Sequence, residues 1–73
     1  MSRAELVAAL AIAHDQMGEA IRQRDHWLAR GAQYQADGMP ASARSAYGIA
    51  GEHIGELLDS RIAIERIARR VLA

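Results

Sequence analysis

Only one segment of this 73-residue chain combines strong helix-stopping residues: Asp37-Gly38-Met39-Pro40, close to the middle. Glycine accepts the positive φ that follows a helix end, and proline suits the first turn of the next helix. The break divides the chain into two stretches of similar length. Sixteen alanines, three aromatic residues (Trp27, Tyr34, Tyr47) and no phenylalanine make a helix-forming palette, poor in strand formers. The expected fold class is therefore all-α: one domain over residues 1–73, folded as a long antiparallel helical hairpin. Helix 1 is placed at about 3–36, the turn at about 37–39 and helix 2 at about 40–72. At ~1.5 Å per residue each helix measures ~50 Å, whereas a compact chain of this length has a radius of gyration of ~11 Å. The hairpin should be a rod, with Gly18, Gly51 and Gly55 marking where a kink into three helices would fall.

Ser2 followed by Glu5 reads as a capping box, so helix 1 should begin at once. Its stripe runs Val7, Leu10, His14, Met17, Ile21, Arg24, Leu28, in steps of three and four that keep one side toward a single neighbour. Helix 2 repeats at seven, through Ala43, Ala50, Leu57, Ile64 and Val71. A turn centred on Gly38 sets Asp15 against Arg61 and Arg24 against Glu52. Opposite signs at both levels favour this register over shifted ones.

The apolar residues of helix 2 spread over roughly 220° of the wheel, more than one neighbour covers. Near the turn the residues are small, whereas the far end gathers Leu6, Leu10 and Ile12 with Leu58, Ile62 and Ile67. These six are the expected interface. A chain near this size buries only ~60% of the surface its unfolded form exposes. With no cysteine available for disulfides or thiolate zinc sites, oligomerisation into a helical bundle is the remaining route to stability.

From Trp27 onward the spacing resembles a single tetratricopeptide-repeat-like helix-turn-helix unit over about residues 27–50. Trp27, Gly31, Tyr34, Gly38, Ala43, Tyr47 and Ala50 fall at that family's aromatic, small and turn positions. Arg30 and Gly55 depart from it where Leu and Pro are usual. The resemblance implies a helical protein-binding surface without catalysis, and one such unit needs neighbours to bury its faces.

Nine arginines balance nine carboxylates, so no bulk attraction to nucleic acid or anionic membranes is expected. No apolar run reaches the ~20 residues of a membrane span, and the first residues lack the regions of a signal peptide, which makes a cytoplasmic location the expectation. His14 and His53 lie far apart in the expected register, so no metal site and no cofactor is expected. Ser42 and Ser45 are read as capping groups at the start of helix 2. No nucleophile elbow or phosphate-cradling loop is present, so no catalytic residue is assigned and the chain is not expected to be an enzyme. The function expected is that of a small accessory or regulatory interaction module, binding itself or a protein partner. A rival reading uses Arg61, Arg66, Arg69 and Arg70, whose guanidinium forks suit a phosphate-bearing small ligand held between associated copies.

Overall fold

The computed structural model describes all residues from Met1 to Ala73 and contains two helices, α1 (Arg3–Ala36) and α2 (Pro40–Leu72), with no strand. Both run without interruption, so none of the glycines kinks the chain. The Cα envelope measures 54 × 13 × 13 Å, with a radius of gyration of 16.4 Å. The protein is a rod.

Local chemistry accounts for its ends and its turn. Ser2 Oγ accepts from the Glu5 amide at 3.1 Å while Glu5 Oε1 accepts from the Ser2 amide at 3.3 Å, completing the capping box. At the other end of α1, Gly38 takes φ +73°. That left-handed residue lets its own amide donate to Gln35 O at 3.2 Å and the Met39 amide to Tyr34 O at 2.8 Å, a Schellman closure that satisfies two terminal carbonyls. Pro40 then opens α2. Ser42 and Ser45 do not cap it: the N-cap is Met39, which makes no side-chain hydrogen bond there. Pro40 has no amide to satisfy, which leaves less for a capping hydroxyl to do. Arg69 and Arg70 lie in the last turn of α2, where cations complement the helix dipole.

The seam between the helices follows the two chains in alternating steps of four and three. On α1 it passes through Leu6, Leu10, Ala13, Met17, Ala20, Arg24, Trp27, Gly31 and Tyr34, all buried or half-buried. On α2 it passes through Ala43, Ala46, Ala50, His53, Leu57, Ser60, Ile64, Ile67 and Val71, likewise withdrawn from solvent. A period of three and a half residues is the pattern of a left-handed supercoiled pair. The α2 row at sevens is the one expected from the sequence. On α1 half of the expected stripe has turned away: Val7, His14 and Leu28 are exposed, and Ala13, Ala20 and Gly31 take the inner positions.

Small residues win the seam because they let the backbones approach. Ala50 has no exposed surface, Ala20 and Ala46 only 2%. Gly31 shows why the approach is close: a Cβ there would lie 2.5 Å from Cε1 of Tyr47, so the ring packs directly on the α1 backbone. The consequence is a thin core. Seven of 73 residues are buried, and no large side chain is fully enclosed. Each buried CH2 contributes only ~0.8 kcal/mol, so a core of alanines gives little hydrophobic stabilisation for the chain it orders.

Candidate interaction surface

The two long sides of the rod differ in chemistry. Tyr47 Oη donates to Gln35 Oε1 across the seam at 3.2 Å. This bond places the α1 row at sevens through Gln35, Leu28, Ile21, His14 and Val7 on the same side as the α2 row Tyr47, Ile54, Arg61 and Ala68. Leu58, one turn beyond Ile54, extends the same side. Five of these apolar side chains are 38–51% exposed: Val7, Leu28, Tyr47, Ile54 and Leu58. Scattered exposed leucines are ordinary on a protein surface, but apolar side chains aligned on one side, here interrupted by His14 and Arg61, mark association.

The opposite side is polar. Its shallow concavity at mid-length is lined by Gln16, Glu19, Ala20, Glu56, Asp59 and Ser60. Hydrogen bonds from the Gln23 amide at 3.0 Å and the Arg22 guanidinium at 2.8 Å hold the Glu19 carboxyl below its ordinary pKa, with the Arg22 charge adding to the effect. His53 Nδ1 lies 3.1 Å from Glu56 Oε2 within α2. Nearer the turn, half-buried Trp27 and Tyr34 border a second concavity floored by Ser42, Ser45, Ala46 and Ile49. Arg30 reaches Tyr34 Oη at 2.6 Å, with its guanidinium 5.0 Å from the ring centre.

The expected site residues divide between these regions. Leu6 is buried in the seam, and Leu10 and Ile67 are half-buried there, so these three close the hairpin itself. Leu58 and Ile62 face solvent, with 51% and 48% of their surface exposed. Ile12 is exposed but shares its row with Glu5, Glu19 and His26 on the polar side, apart from Leu58.

Neither cross-helix charge pair forms. Arg24 Nη2 pairs with Asp25 at 2.9 Å and Arg61 Nε with Glu65 at 3.4 Å, each within its own helix. The cause is the turned seam of α1: Asp15, seven residues from Ala8 and Arg22, lies on the outer back of the helix and does not face α2. Of the C-terminal arginines, Arg66, Arg69 and Arg70 are neighbours at three- and four-residue spacing. Helical spacing separates Arg61 from Arg66, Arg69 and Arg70, and none of the four lines a concavity. No three His, Asp or Glu side chains gather in a metal-binding arrangement, and no helix is long and apolar enough to cross a membrane.

Two features of the surface escaped the sequence reading. The apolar side does not concentrate at the open end: α1 contributes Val7, Ile21 and Leu28 to it along its length, and α2 contributes Tyr47, Ile54 and Leu58. The repeat of large residues at seven on α1 was visible, but it belongs to the outer row. Comparison with known proteins adds no relative: no family model, curated protein or solved structure matches this chain.

Proposed function

We propose that this chain acts by association, as a non-enzymatic helical interaction module and a small accessory or regulatory factor. The observation that carries the reading is the contrast between a core whose buried residues are Leu6, Gly31 and five alanines and a side on which Val7, Leu28, Tyr47, Ile54 and Leu58 are exposed, with Ile21 half-buried among them. Association transfers those side chains from water and supplies apolar burial that the seam lacks. The tetratricopeptide-like spacing of Trp27 to Ala50 supports a role in helix-mediated protein binding. The arginine reading has no concavity of the single hairpin behind it and would need copies to bring Arg66, Arg69 and Arg70 together.

The test is sedimentation of the purified chain over a wide concentration range, followed by thermal unfolding at each concentration. An associating module shows a mass above the monomer and a melting temperature that rises with concentration. Substituting Leu58→Glu with Ile62→Glu should reduce both mass and helicity. A folded monomer with a concentration-independent melting temperature overturns the reading.

A further inference from the structure

The α1 part of the apolar side is self-complementary about its own midpoint. The midpoint of α1 falls between Glu19 and Ala20, and residues of the outward rows equidistant from it pair large with small: Val7 with Ala32, Leu28 with Ala11, Ile21 with Gly18. The remaining such pairs are Gln35 with Ala4, again large with small, and His14 with Asp25, an imidazole and a carboxylate. Size and charge thus alternate so that each knob meets a gap when the same helix lies on it in the reverse direction. On α2 the level of this midpoint is set by the mid-length concavity, which Glu19 and Ala20 share with Glu56, Asp59 and Ser60. Leu58 lies at that level on the apolar side, and two pairs lie about equally far from it on either side: Tyr47 with Ala68, large with small, and Ile54 with Arg61.

We propose that the apolar side is closed by a second copy of this chain, seated antiparallel with the two turns at opposite ends, α1 on α1 and α2 on α2. The proposal rests on the association reading and adds its partner and geometry. A two-fold axis then crosses the interface between the copies at mid-length, as an isologous dimer requires, and Leu58 meets the Leu58 of the other copy. Gly18 supplies the gap for Ile21. A Cβ built there meets only the far end of Arg22, at 3.6 Å, so the hairpin itself makes no demand for glycine at that position. The area also suits a dimer: the Cα envelope alone presents 54 by 13 Å, about 700 Å² per copy, before side chains widen it, near the ~800 Å² per partner of a standard stable interface.

The absence of cysteine from the chain allows a direct test with single introduced thiols. Mild oxidation of a Leu58→Cys variant should give a covalent homodimer that keeps the helicity of the wild type, and an Ile12→Cys control on the polar side should stay at least tenfold less cross-linked. Gly18→Leu, which the isolated hairpin has room for, should weaken dimer formation by a hundredfold or more. Efficient cross-linking of Gly18→Cys with Leu58→Cys in a mixture, and none of Leu58→Cys with itself, puts the turns at one end and overturns the geometry while leaving association intact. A wild-type chain that sediments as an unfolded monomer overturns the second copy as occupant and leaves a foreign protein partner. A folded monomer overturns both.

Discussion

The halves of α2 on either side of Ala50 use opposite means of holding a helix. Toward the turn, Ala43, Ala46 and Ala50 are buried against α1, and Tyr47 lies on the bare backbone of Gly31. Toward the open end, Ile54, Leu57, Leu58, Ile62, Ile64, Ile67 and Val71 offer far more apolar surface, yet no residue after Ala50 is buried. Apolar content and burial are therefore inversely distributed along one helix. Close approach requires small side chains, and where the side chains are large, two helices alone leave them half open. The lesson is that hydrophobicity in such a hairpin reports where a further neighbour is missing.

The largest effect should come from filling the tight half. Ala50→Leu forces apart the closest packing in the molecule and should destabilise by about 3 kcal/mol, toward the upper end for overpacked cores, read as a shifted urea midpoint at unchanged slope. Ile64→Ala in the open half removes more apolar volume but should cost less. Equal losses would erase the contrast. Gly31→Ala is next, at about 1–2 kcal/mol, because the clash with the Tyr47 ring outweighs the ~1 kcal/mol that alanine gains in helix propensity. Tyr47→Ala in the same chain should turn the Gly31→Ala effect favourable. Gly55→Ala lies in open space, with nothing within 4 Å of the added Cβ, and should stabilise by about 0.5–1 kcal/mol; a loss there would place a close neighbour at Gly55. The smallest effect concerns Glu19 on the polar side. Its folded-state pKa is lowered by Gln23 and then Arg22, so its contribution is present above the unfolded carboxylate pKa and fades as pH falls through the folded value. Glu19→Gln should slightly flatten the loss of helicity seen on acidification below about pH 4.3.

Much of the fold was legible because it depends on local chemistry. Ser2 with Glu5, Gly38 at the left-handed position and Pro40 at the first turn fix both helix boundaries through backbone hydrogen bonds that need no knowledge of packing. The α2 seam was legible too, since Leu57, Ile64 and Val71 mark it at sevens. The α1 seam was not, because ranking by size chose Val7, His14 and Leu28 over Ala13, Ala20 and Gly31. That choice inverts when both partners are small, a condition set by the other helix. The charge pairs failed for the same reason: they follow from level along the rod, whereas ion pairing also needs azimuth, and Arg24 and Arg61 find nearer carboxylates on their own helices. The exposure of Leu58 and Ile62 follows from the width of the apolar arc, a property of α2 alone.

The three-residue turn also sets the order of events in time. Contacts beside it join residues close in sequence, such as Gly31 and Tyr47, while those at the open end close almost the whole chain, and the entropy of closure grows with that separation. Folding should therefore start at the Schellman turn and run outward, the alanine half forming first and the aliphatic half last. Substitutions at Ala43 or Ala46 should then slow refolding with little effect on unfolding, whereas those at Ile64 or Ile67 should speed unfolding and leave refolding nearly unchanged. In kinetic terms the bare apolar half is the last part to close and the first to open.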